Sequence, residues 1–149
     1  MAANMYKKYT ESLTREWAVP AGTKSGWVVI NAQSGQIGVA LGDRGDGTRA
    51  ANIPGVTGGT VPNGMAGVRP GGAVVAVDGS WLLTVTGVTA GDTGAGGAGT
   101  DEGTEVYGIV SAGVITSFTT TASGNTYIGV IDDGQIVGTV APVKIGQVI

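Results

Sequence analysis

Four short stretches of this sequence hold residue types that could do chemistry. GAGGAG, Gly94 to Gly99, follows the strand-like WLLTVT and matches G-x-G-x-x-G letter for letter. Where such glycines lead into a helix, the backbone N–H groups at its start meet the pyrophosphate of a dinucleotide. TDEGTE (Asp101, Glu102, Glu105) and DDG (Asp132, Asp133) gather carboxylates that could ligate Ca²⁺ or, as a facing pair, hydrolyse a glycoside. RGD, at Arg44 to Asp46, is the tripeptide of integrin ligands.

Context weakens each of them. GAGGAG runs into TDEGTEVYGIV, a turn and then a strand, so no helix N-terminus follows, and Asp101 and Glu102 would repel a phosphate. Glycine makes up 29 of 149 residues, where average usage would give roughly 10, so short glycine patterns and an RGD in a glycine-rich loop arise by chance. The acidic clusters lack the alternating Asp spacing and distal Glu of a calcium loop. Cysteine and histidine are both absent. That excludes a thiolate nucleophile, a disulfide and a Cys/His zinc site, and it removes the commonest general base. There is no nucleophile elbow and no P-loop. The expectation is a chain without a catalytic centre, metal or cofactor, whose work is structural or binding.

The elements that would position these residues are strands. Residues 1–14 are polar apart from Met5, Tyr6, Tyr9 and Leu13 and read as an arm, with one helical turn expected around ESLTREW. From Arg15 the pattern is β. GWVVIN and QIGVAL flank the turn AQSG. AVVAVD and SWLLTVT flank Asp78-Gly79, the best hairpin signal in the chain, with Trp81, Leu83 and Val85 on one face. TEVYGIV, VITSF, TYIGVI and QIVGTVAPVKI follow, separated by SAG, TTTASGN and DDG. Between the halves, residues 42–72 are dense in glycine and contain Pro54, Pro62 and Pro70, so a long strandless loop is expected there. No amphipathic helix appears. The predicted fold is all-β: a small barrel or sandwich of about nine or ten short strands over 15–149, behind an N-terminal arm over 1–14. GAGGAG then becomes a flexible link at a loop tip that tolerates insertion.

Charge divides the chain. Residues 1–70 carry seven basic and four acidic groups, and residues 71–149 carry one basic group, Lys144, and seven acidic ones. The basic end is suited to an acidic partner. There is no dense basic stripe, so nucleic acid is not expected, and no apolar run approaches the roughly 20 residues of a membrane span. The N-terminus has no hydrophobic segment of signal-peptide type, which points to synthesis and retention in a cytoplasm.

The order of these elements carries a resemblance. EWAVPAGTKSGWVVIN (Glu16 to Asn31), GQIGVAL, GGAVVAVDGSWLLTV, GTEVYGIVSAGVITSF (Gly103 to Phe118) and GNTYIGVIDDGQIVGTVAPVKI (Gly124 to Ile145) follow one another as in the decoration, or cement, proteins of tailed-bacteriophage heads. The resemblance covers roughly residues 16–145, and residues 42–72 depart from it. It implies a non-enzymatic virion protein, made in the host cytoplasm, that binds the outside of a capsid and bridges neighbouring major capsid subunits. It also implies a homotrimer at local three-fold positions. The residues expected at the capsid are those of the arm and its junction: Tyr6, Lys7, Lys8, Tyr9, Arg15 and Trp17, since aromatic and basic groups anchor interfaces. Trp17 is the tryptophan least expected in a core. The alternative is an adhesion or carbohydrate-binding module displayed on a particle, motivated by the exposed acidic loops and the RGD.

Overall fold

The computed structural model describes residues 5–7, 14–45, 48–50, 60–62, 68 and 70–146; for 5–7, 48–50 and 60–62 it describes the backbone only. Among these residues there are fourteen strands and no helix. Four form one antiparallel sheet: β2 (Thr14–Ala18), β3 (Val28–Ile30), β4 (Ile37–Ala40) and β7 (Gly72–Ala76), in the order β2-β7-β4-β3. Five close into a barrel: β8 (Ser80–Thr86), β10 (Glu105–Ser111), β11 (Val114–Thr119), β12 (Thr126–Ile131) and β14 (Val140–Ile145). Around the barrel the order is β8-β11-β10-β12-β14, and β14 returns to β8. Two small pairs complete the set, β9 (Gly91–Asp92) with β13 (Gln135–Ile136) and β5 (Thr48–Ala50) with β6 (Thr60–Pro62). The all-β expectation holds, and the β14–β8 pairing closes the barrel, leaving less open edge than a flat sheet would expose.

Period-two alternation decides which side chains fill the barrel. In β8, Trp81, Leu83 and Val85 are buried, while Leu82, Thr84 and Thr86 face outward. The inward set meets Ala141 and Val143 across the β8–β14 ladder, with Val106, Ile128, Ile131, Ile136 and Ile145 packed beside it. Val28, Val39 and Ala76 of the four-stranded sheet belong to the same cluster, so one face of that sheet packs on the barrel. Its other face carries a second cluster: Trp17, Val19, Val29, Ala73, Val75 and Val77.

Several local expectations change. Of ESLTREW, where a helical turn was expected, residues 14–17 are extended in β2 and 11–13 lie outside the described residues. β2 pairs with β7 from Thr14↔Ala76 to Ala18↔Gly72, which sets Trp17 opposite Ala73. Trp17 is therefore a core residue at 6% exposure, because alternation along β2 turns it to the face where the small Ala73 leaves room. The Asp78-Gly79 turn joins two strands that do not pair with each other. β7 stays in the sheet while β8 enters the barrel, with Gly79 at φ +98° and the Trp81 indole N–H donating to the Asp78 carbonyl at 3.2 Å. Local turn chemistry was right there, but non-local pairing took the strands apart. Within 42–72, the pair β5–β6 replaces a strandless loop.

Gly38 in β4 shows how tightly the second face is packed. A β-carbon there would press on the Val75 methyl group, sit 2.7 Å from the Ala76 carbonyl oxygen and lie 3.2 Å from the Trp17 ring. Gly38→Ala should therefore cost about 1–3 kcal/mol of stability through overpacking, seen as a lower melting midpoint with an unchanged far-ultraviolet dichroism spectrum.

Candidate functional site

The residues singled out for chemistry do not converge. GAGGAG lies in a folded-back loop, not on a helix. Gly99 N–H donates to the Asp92 carbonyl at 3.0 Å, Gly97 N–H to Gly94 at 2.9 Å and Thr100 N–H to Thr89 at 3.1 Å. Its glycines are needed for close approach of backbone to backbone. A β-carbon on Gly97 would strike the Asp92 carbonyl, and one on Gly99 the Gly91 carbonyl, whereas Gly96, at φ +79°, has open space around it. The stretch is thus ordered, which corrects the expectation of a flexible link. Insertion after Gly96 should leave the melting midpoint within a few degrees. Gly99→Val should lower it by more than about 5 °C, since relieving the clash means parting two backbone segments.

The structure does join the two acidic stretches. Thr93, 1% exposed, is their hub. Its hydroxyl donates to the Asp132 carbonyl and accepts from the Gly134 N–H, its N–H donates to the Gly134 carbonyl, and its carbonyl accepts from the Glu102 N–H. Asp132 is buried at 6%, and its carboxylate accepts from the Asp133 N–H at 2.9 Å. Asp101, Glu102 and Asp133 stay exposed. Among the described residues, no group of three or more Asp and Glu side chains could hold a metal ion. The arrangement is an acidic, internally braced surface. Glu105 belongs elsewhere, on the barrel wall, where it accepts a hydrogen bond from the Tyr107 hydroxyl and so raises that phenol's pKa. Tyr107 also meets Tyr127 edge to face at 5.9 Å.

The residues expected at a partner surface fare unevenly. Lys8 and Tyr9 lie outside the described residues. Tyr6 and Lys7 are described by their backbone alone, in strand β1 (Met5–Lys7), which pairs antiparallel with β8 through Met5↔Trp81 and Lys7↔Ser80. Part of the expected arm is thus a strand laid along the barrel. Arg15 is exposed on β2. Trp17 is in the core and has little surface to offer a partner. Of the RGD, Asp46 lies outside the described residues, and the Arg44 guanidinium is half-buried, donating to the Val19 carbonyl at 3.0 Å.

Two exposed apolar surfaces escaped the sequence reading. The first is on the outer barrel wall. The ladder sets Leu82 opposite Pro142 and Thr84 opposite Val140, and Val140 bridges to Val137, so Leu82 and Val140 are diagonal neighbours with Val137 beside Val140; all three are exposed, Val137 at 71%. Alternation in β8 placed Leu82 on the outward face, and that was the available signal. The second is a cleft of about 450 Å³ between the two sheets. Trp27 and Val28 form one wall; Val114, Ile115, Thr116 and Phe118 form the other. Beside it, Asp43 accepts hydrogen bonds from the Ser25 N–H at 3.0 Å and from Lys24 at 3.3 Å, and these hold its carboxyl below the usual range. That tie is fully present above the ordinary carboxylate pKa and is lost as pH falls through the lowered pKa of the folded state.

No protein-family model, curated protein or solved structure matches the chain.

Proposed function

We propose that this chain is a structural virion protein that binds the outer surface of a bacteriophage capsid and stabilises the shell by bridging major capsid subunits, as a homotrimer at local three-fold positions. The observation that carries the reading is the uncovered apolar patch Leu82–Val137–Val140 on a closed barrel wall. Exposed contiguous apolar groups on a small domain mark macromolecular contact, and this patch is convex strand surface, unlike the concave sites that take small molecules. The partner is suggested by the resemblance of the ordered motifs to those of head decoration proteins. The N-terminal strand adds to this support: a terminus that docks on β8 by backbone pairing can equally span a joint between subunits.

Co-sedimentation with mature heads that lack the protein tests the reading. The purified chain should bind them and raise their resistance to heat or chelator. The double variant Val137→Asp, Val140→Asp should bind at least about tenfold more weakly while melting within a few degrees of the parent, because both side chains are solvent-facing. Failure of the parent to bind any capsid state sinks the reading.

A further inference from the structure

We infer that the cleft beside Trp27 receives the β10–β11 hairpin of a second copy of this chain. The inference gives a surface to the self-association proposed above and rests on that reading.

Its first ground is charge. The chain has three long charge-free stretches, 25–42, 50–68 and 106–131. The fold brings the first and the last together, for both walls of the cleft come from them. Copies of an acidic chain with net charge −3 repel one another, so a cleft whose own lining carries no charge, with the Lys24–Asp43 pair beside it, is where two of them can meet with few charges to desolvate. Charge depletion around an aromatic is also the composition of an interface centre.

The second ground is an unguarded edge. β11 is paired with β10 along its length, but with β8 only at Phe118 and Thr119. Among the described residues, Val114–Ser117 therefore has no ladder partner on the side away from β10. Edge strands that must stay free usually carry a lysine, a proline or an inward charge. This one carries none, and Trp27 beside it is 43% exposed.

The third ground is that the chain presents a matching plug. Ile109 and Val110 are 41% and 38% exposed on the same hairpin. The register sets Val110 opposite Ile115 on the cleft side, and Ile109 opposite Ser117 on the other side, with a bulge between the two pairs. Plug and cleft thus lie on opposite faces of one hairpin. Ile109 of one copy can enter the cleft of the next, a head-to-tail contact that makes a ring where its rotation closes.

Sedimentation analysis of the full purified chain tests this without capsids, so its failure is distinguishable from failure of head binding. The parent should self-associate. Ile109→Glu and Trp27→Arg should each weaken association at least about tenfold while keeping the parent's melting midpoint to within a few degrees. If Trp27→Arg does not fold, Thr116→Arg carries the same charge into the cleft from the opposite wall. Mixing the two single variants should yield a one-to-one pair, because one retains the hairpin and the other the cleft. A parent that stays monomeric at every concentration overturns the inference. So do variants that assemble like the parent, or dissociated variants whose mixture stays monomeric.

Discussion

Trp81→Ala should lower the melting midpoint by about 10–15 °C, the loss expected for about 3–5 kcal/mol in a chain of this size. Trp81 has no exposed surface and lies at the centre of the barrel cluster, in register with Val143. Its removal takes away the largest buried side chain and leaves a void among branched aliphatic residues held by five ladders, which cannot collapse inward without breaking pairs. It also deletes the indole donor to the Asp78 carbonyl, where the chain passes from one sheet to the other. The control is Trp27→Ala, which should shift the midpoint by no more than about 3 °C, because that ring is already largely in water. Thermal melts of both proteins decide the matter. If the two shift equally, the barrel is not the stabilising core described here.

Removal of residues 1–13 should leave a folded body and reduce binding to heads at least about tenfold. The described core clusters begin at Trp17, and β2 begins at Thr14, so the cut falls before both. The loss on the barrel side is small. Among the described residues, β1 meets β8 at two register positions, and at one of them Ser80 is fully buried with a hydroxyl that has no hydrogen-bond partner there. A buried unpaired hydroxyl costs about 1–3 kcal/mol, which offsets much of what two ladder pairs supply. The midpoint should therefore fall by less than about 5 °C, while the lost aromatic and basic groups weaken the contact with the shell. A truncated chain that decorates heads as well as the parent would remove residues 1–13 from the interface and leave Arg15 and the barrel patch as candidates.

Strand positions were legible where alternation and turn residues agreed. SWLLTVT declared its buried face before any fold was known, because side chains alternate across a strand whatever the strand pairs with. GWVVIN, AQSG and QIGVAL likewise gave β3, its turn and β4, for the pairing partner is adjacent in sequence and the turn fixes the register. The absence of cysteine and histidine, readable by inspection, closed off whole classes of chemistry.

The tertiary structure decided which strands meet. AVVAVD and SWLLTVT carry a good hairpin signal, yet each finds more apolar surface to cover elsewhere, one against β2 and β4 and the other against β14 and β11. Trp17 looked peripheral beside a polar arm until Ala73 and Gly38 made a recess for it. The apolar cleft was unreadable for the same reason: Trp27 and Phe118 stand far apart in the chain, and only packing of the four-stranded sheet on the barrel brings β3 beside β11. GAGGAG shows both sides of the division. Its sequence context already argued against a nucleotide, since a turn and a strand, not a helix, follow. That its glycines let one backbone lie directly on another is a fact about contacts, and contacts between distant residues are set by packing, not by local composition.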